Sequence, residues 1–232
     1  MLLSKTFLTR GNQKAVLQGM IHIGPDKLYE MLQYDINLAT ENGYQIFFEG
    51  VKKYPTERKL NQNETNIQKF FMFLFDLYPV FAESLGISTQ KEKIKYPEGA
   101  VNADITFDTL TQKLDENGFK CKSILKIFSN INQEEMKEIK EYLTEKDNLK
   151  KLMDSSKKWS FSKLIFWFIF RKAMPIILDH RNQVVAEKIK IYSNKDIFIH
   201  YGEKHVRGIL KLLKRDGWVV NTTTYTEIGE YL

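Results

Sequence analysis

Ala15-Val16-Leu17-Gln18-Gly19-Met20-Ile21-His22, with residues 26–42 and then Gln45-Ile46-Phe47-Phe48-Glu49-Gly50 behind it, decides the fold of this chain. Residues 15–19 are a short apolar run entering a glycine, the pattern of a buried strand. Over residues 26–42, Leu28, Met31, Leu32, Ile36 and Ala39 recur at helical spacing, and Gly43 supplies the stop. Gln45–Phe48 reads as a second strand. Strand, helix and strand in that order make a βαβ unit, and such units build parallel sheets with right-handed crossovers.

The pattern resumes near the C-terminus. A helix is expected over 179–192, a strand over 196–200 leading to Gly202, a helix over 204–215, and a last strand over 218–220 after Gly217. Between these ends the sequence predicts a long apolar helix over 63–85, ending at Gly86, and an extended segment over 89–96. A helix over Phe107–Glu116 follows, with Thr106 or Asp104 near its cap and Gly118 behind it. A charged helix over 133–153 carries Met136, Ile139, Leu143, Leu149 and Leu152 as its apolar stripe. No repeat or low-complexity linker breaks the chain. The expected architecture is α/β: a central, mostly parallel sheet flanked by helices, in a single domain over 1–232 with a helical insertion at 120–178.

Composition narrows the function classes. A length of 232 residues suffices for one well-buried core. The net charge is +6, but the lysines are scattered among glutamates rather than gathered on one face, so no nucleic-acid partner is expected. Cys121 is the one cysteine, which rules out an intramolecular disulfide and a Cys-rich zinc module. Together with an N-terminus lacking the apolar stretch of a signal peptide, it points to a reducing, cytoplasmic setting, the alternative being a disulfide-free secreted protein. Residues 161–178 are the most apolar, yet Arg171 and Lys172 interrupt them and Pro175 follows. A spanning helix needs about 20 mostly apolar residues, so a buried or interfacial helix is expected there, with peripheral membrane contact left open.

Two Gly-x-x-His elements, Gly19 to His22 and Gly202 to His205, each lie just beyond an expected strand. In open parallel sheets ligands bind past the carboxyl ends of the strands, where Glu49 also falls. If those strands are neighbours, His22, Glu49 and His205 share one crevice and form a candidate ligand set for Zn²⁺, Mn²⁺ or Co²⁺. The same residues equally suit a metal-free hydrolase with a histidine as general base and the glutamate as its partner. The plainer alternative is a pair of strand-end histidines bonded to backbone. Gly19 and Gly202 lack a Cβ and allow close approach of a ligand. His205 falls in the first turn of its helix, where the positive end of the dipole favours neutral imidazole.

Arg181, two residues past a capping Asp179, opposes the dipole at a cost of about 0.3–1 kcal/mol. It is better explained facing a carboxylate or a substrate oxyanion, the alternative being a surface pair with Asp179. Asp104 reads as a helix cap and Gln90 as a polar strand residue. His180 has the weaker claim, and His200 reads as a satisfied core histidine.

The chain resembles the TraB/Tiki superfamily, with its GumN-like and more distant erythromycin-esterase-like members. The resemblance rests on Gly19-Met20-Ile21-His22-Ile23-Gly24 and Phe48-Glu49-Gly50 at one end. At the other it rests on Arg181-Asn182, Gly202-Glu203-Lys204-His205, Gly208-Ile209 and Gly217-Trp218. Gln90 and the polar run from Tyr96 to Asp104 lie between. The resemblance implies a site built from His22, Glu49, Arg181 and His205, with Gly19, Gln90, Asp104, Asn182, Gly202 and Glu203 around it. Tiki-like members are associated with divalent-metal-dependent proteolysis, which would make His22, Glu49 and His205 metal ligands. Esterase-like relatives hydrolyse without a required metal. A peptide or small ester is the substrate this implies, with Arg181 stabilising developing negative charge. Glu203 and Lys204 depart from the small residues common at their positions; Glu203 either adds a ligand or is solvated.

Overall fold

The computed structural model describes residues 2–52, 58–120 and 173–231. The expected helix over 133–153 and the apolar stretch 161–170 lie outside them. The chain divides into two compact units, Met1–Lys52 with Ser88–Ile105 and Ile177–Leu232, and Lys53–Ile87 with Thr106–Ile176.

The elements run β1 (Leu2–Arg10), β2 (Gln13–Met20), β3 (Ile23–Gly24), α1 (Asp26–Glu41), β4 (Gln45–Phe48), α2 (Gln62–Leu85), β5 (Ser88–Thr89), α3 (Gln90–Lys93), β6 (Val101–Asn102) and α4 (Phe107–Glu116). After them come a π-helical turn (Pro175–His180), α5 (Arg181–Lys190), β7 (Ile197–Gly202), α6 (Glu203–Arg215) and β8 (Val219–Glu227). The fold is mixed α/β. A six-stranded sheet in the order β6-β4-β7-β2-β1-β8 carries the first unit. The pairs β6–β4, β4–β7 and β7–β2 are parallel, and β2–β1 and β1–β8 are antiparallel.

Period-2 alternation sends the two sides of each inner strand to different helices. Val16 and Met20 of β2, Ile46 of β4 and Phe198 of β7 pack with Leu28, Tyr29, Leu32 and Ile36 of α1. Ala15 and Leu17, Phe47, and Ile197, Ile199 and Tyr201 pack on the other face with Val185 and Ile189 of α5 and Val206, Ile209 and Leu213 of α6. All six residues of β7 are buried, as a strand covered on both faces requires.

Several local expectations change. The strands of the first βαβ unit are not neighbours, because β7 lies between β2 and β4. Residues 2–10 form a strand, turned at Gly11-Asn12 into a hairpin with β2. The last strand runs on through the Thr-rich segment to Glu227, where β-branched residues favour extended backbone. Residues 89–96 are not extended throughout: Thr89 and Glu92 close a capping box around the single turn of α3. Thr106, not Asp104, caps α4 by accepting from the Thr109 N–H. The π-helical turn leads directly into α5, so Arg181 follows six helical residues and is not in an opening turn.

In the second unit, α2 is closed at its start by an Asn61–Glu64 capping box and at its end by Gly86. Arg58 pairs with Glu64 and Asp108, and Asn63 reaches Asp115 and the Phe119 carbonyl. Among the described residues no helix is long and apolar enough to cross a membrane.

Ile199 is fully buried at the centre of the sheet. Ile199→Ala should lower unfolding free energy by about 2–5 kcal/mol, read as a lower urea midpoint.

Candidate functional site

Four parallel strands end on the same edge of the sheet, and each delivers a polar residue there. In the order β6, β4, β7, β2 these are Asp104, Glu49, Gly202 with His205 beyond it, and His22. Glu49 lies at the centre and is buried. Its Oε2 accepts the Gly202 N–H at 2.6 Å, and its Oε1 accepts Arg181 Nη2 at 2.5 Å. A Cβ on Gly202 would fall 2.8 Å from Oε2, so the carboxylate can rest on the backbone because residue 202 is glycine.

Arg181 joins two carboxylates. Its Nε and Nη2 donate to the two oxygens of Asp104 at 2.8 and 2.6 Å, while Nη2 also holds Glu49. Asp104 accepts further from the Gly50 and Ile105 N–H groups. The Arg181 partners are thus Glu49 and Asp104 rather than Asp179. Lys188, about two turns further along α5, donates to the carbonyls of Asn102 and Asp104 and secures the same strand end.

Burial by itself would raise the Glu49 pKa. The Arg181 charge, then His205, His22 and the Gly202 N–H, outweigh it and hold the carboxyl at about 2. Burial opposes the charge on Arg181, yet Glu49 and Asp104 raise its pKa above the ordinary guanidinium value. The ion pair is therefore present across the physiological range.

The two expected histidines meet at one oxygen. His205 Nε2 is 3.6 Å and His22 Nε2 3.9 Å from Glu49 Oε1. The rings differ in setting. His205 is buried, its Nδ1 donates to Asn182 Oδ1 at 2.8 Å, and its ring meets the Tyr201 ring edge-on at 5.1 Å. Burial, offset in part by Glu49, lowers its pKa to about 4, so the ring is neutral at pH 7. Asn182 reaches it by lying against Gly208, where any Cβ would overlap the amide. His22 keeps 46% of its side chain exposed and pairs through Nδ1 with Gln90 Oε1 at 3.0 Å. Gln90 is placed by α3, whose first N–H donates to the His22 carbonyl.

Gly19 and Glu203 belong to a neighbouring contact. The Glu203 carboxylate accepts from the Ser4 N–H and hydroxyl at 2.9 and 2.8 Å, occupying the space that a Cβ on residue 19 would fill. Glu203 thus clasps β1 from a half-buried position rather than turning to Glu49. Sequence reasoning gave Tyr96 no role beyond heading the Tyr96–Asp104 run, and underrated His200. Gln90 Nε2 donates to the Tyr96 hydroxyl at 3.0 Å, which pairs with His200 Nδ1 at 2.8 Å. His200 is fully buried, as expected of a core histidine, but its Nε2 has no partner among the described residues. No short motif flags such a link, because its members come from α3, the loop after it and β7.

The donor set does not fit a resident divalent metal. Among the described residues no group of three or more His, Cys, Asp or Glu side chains is arranged to hold one. The oxygen shared by the two rings already accepts a guanidinium N–H, and the other accepts a backbone N–H. A metal ion between the rings would face the Arg181 charge at close range.

Removing Arg181 leaves two buried carboxylates without their counter-charge, so Arg181→Met should cost about 3–5 kcal/mol of stability, measured by urea unfolding. Acid sensitivity follows from the lowered pKa values. His200 and His205, lowered from 6.5 to about 4 by burial, support folding fully above pH 6.5 and progressively less as pH falls through 4, because the unfolded chain takes up those protons first. Glu49, lowered from 4.5 to about 2, adds a loss as pH falls from 4.5 through 2. Unfolding free energy measured against pH should decline from about 6.5 downward, with a shallower decline in His205→Gln. Compared with known proteins, the chain matches no family model, no curated protein and no solved structure.

Proposed function

We propose that this chain is a hydrolase of the TraB/Tiki type that cleaves a peptide or small ester bond without a resident metal. The observation that carries the reading is a half-exposed His22 whose Nε2 faces a buried, ionised Glu49 while Gln90 holds its Nδ1. In this reading Nε2 takes the proton from a water attacking the substrate carbonyl. Glu49 stabilises the imidazolium so formed, and His22 returns the proton to the leaving group. Arg181 acts through Glu49 and Asp104, to which its Nε and Nη2 donate. His205, held by Asn182, packs beside Glu49 and keeps water from its inner side.

Buried ion clusters seldom add net stability compared with apolar residues of similar volume. A cluster of this kind at the ligand-binding edge of a parallel sheet is a functional-site candidate on physical grounds. A second reading, a peptide-binding protein that uses the same crevice without turnover, is favoured by the internal pairing of Glu49, Arg181 and Asp104.

Single-turnover assays with peptide and ester substrates separate these readings, run with chelator and with added Mn²⁺, Co²⁺ or Zn²⁺. Hydrolysis should persist in chelator and fall about 10²–10⁴-fold in His22→Ala. Activity unchanged in a His22→Ala/His205→Ala double variant overturns the hydrolase assignment. Activity that appears only with added metal overturns the metal-free form of it. Binding of a peptide without turnover supports the second reading.

A further inference from the structure

Behind His22 runs a line of polar groups that ends in two buried atoms without partners. The line is His22 Nδ1 to Gln90 Oε1, Gln90 Nε2 to the Tyr96 hydroxyl, and that hydroxyl to His200 Nδ1. At its inner end His200 Nε2 is unpartnered among the described residues, and so is Gln18 Oε1. Gln18 and His200 are register partners on the adjacent parallel strands β2 and β7. Register partners point to the same face of a sheet, so the two orphaned atoms belong to neighbouring side chains.

Each link in this line has two settings, because every neutral imidazole, amide and hydroxyl can present either a donor or an acceptor. Gln18 can resolve the choice. Its Nε2 donates to the Gly19 carbonyl at 3.0 Å, which leaves the amide oxygen, an acceptor, as the atom left over. The two side chains are register neighbours and make no hydrogen bond to each other. An Nε2–H on His200 can turn to that acceptor, whereas a bare Nε2 would leave two buried acceptors on neighbouring side chains with no donor between them.

With the proton on Nε2, His200 Nδ1 is an acceptor and takes the Tyr96 O–H. The Tyr96 oxygen then accepts from Gln90 Nε2, so the Gln90 oxygen faces His22 and accepts its Nδ1–H. The proton of His22 is thereby fixed on Nδ1, and its Nε2 lone pair is presented beside Glu49. We infer that Gln18, His200, Tyr96 and Gln90 form one positioning relay that sets the tautomer of His22 from inside the sheet. These four are positioning residues, since none needs to touch a substrate. Burial keeps His200 neutral, as a tautomeric relay requires.

The inference rests on the proposed hydrolase reading for its consequence, a base-competent His22, but its first test does not. Long-range nitrogen–proton NMR of the histidine side chains at alkaline pH distinguishes Nδ1–H from Nε2–H imidazole directly. In the wild-type chain His22 should be the Nδ1–H tautomer and His200 the Nε2–H tautomer. Tyr96→Phe keeps the ring that stacks on Phe48 at 4.0 Å and removes the hydroxyl. His22 should then shift towards the Nε2–H form favoured by free imidazole. Gln18→Leu should release His200 from its single tautomer. Gln90→Glu, which offers only acceptors to Nδ1–H, should hold His22 in the wild-type form. His22 in the Nε2–H form in the wild type, or unmoved by Tyr96→Phe in a variant that keeps the wild-type circular dichroism, overturns the relay. Where hydrolysis is measurable, Tyr96→Phe should lower kcat with little change in KM. Absence of any hydrolysis with the tautomers as expected refutes the activity and leaves the relay standing.

Discussion

The guanidinium of Arg181 between Glu49 and Asp104 is the constraint on which the strand edge depends. Two carboxylates enter the interior at the ends of β4 and β6, and one guanidinium donates to both. A planar guanidinium suits the task because it can grip Asp104 through two nitrogens and still reach Glu49. Lysine would offer one compact charge and lose the fork. The π-helical turn ahead of α5 and the Lys188 bonds to the Asn102 and Asp104 carbonyls place this arginine over the strand ends.

From that pairing follows the electrostatic character of the edge. Glu49 is a fixed negative charge, kept so by Arg181, and two imidazoles approach one of its oxygens. The buried ring is neutral and tied to Asn182, while the half-exposed ring is tied to Gln90. Similar residues therefore acquire different capacities from their surroundings. His205 fills and orients; His22 meets solvent. The two Gly-x-x-His elements differ in the same way. Gly202 makes room for Glu49, whereas Gly19 makes room for Glu203, which fastens β1 rather than serving the edge.

Much of the α/β framework was legible in the sequence because it depends on local pattern. Helical spacing of Leu28, Leu32 and Ile36 marks α1, and an apolar run marks β4 to the residue. At the antiparallel side β1 was not read, and β8 was read only at its start. Residues 2–10 alternate weakly, and β8 is a Thr-rich edge strand exposed along much of its length, so neither carries a strong hydrophobic signal. Their pairing is decided by the Gly11-Asn12 turn and by contacts with each other. Glu49, His22 and His205 could be singled out by residue type and by position after expected strands, and Arg181 as a cation near an expected helix start. Tyr96 and Gln18 could not, since a tyrosine in a loop and a glutamine in a strand have many commoner explanations.

The sequence by itself determined β2, β4, β7 and the helices that cover them, and so placed His22, Glu49 and His205 just past strand ends, because periodicity and turn residues act over a few neighbours; the two-residue β6 ahead of Asp104 carried no such pattern. Only the tertiary structure decided that β7 inserts between β2 and β4, that Asp104 serves Arg181 rather than a helix cap, and that Glu203 turns to Ser4. Those outcomes rest on hydrogen bonds and charge pairs between residues tens to hundreds of positions apart. Burial sets their strength, and burial exists only once the sheet has closed.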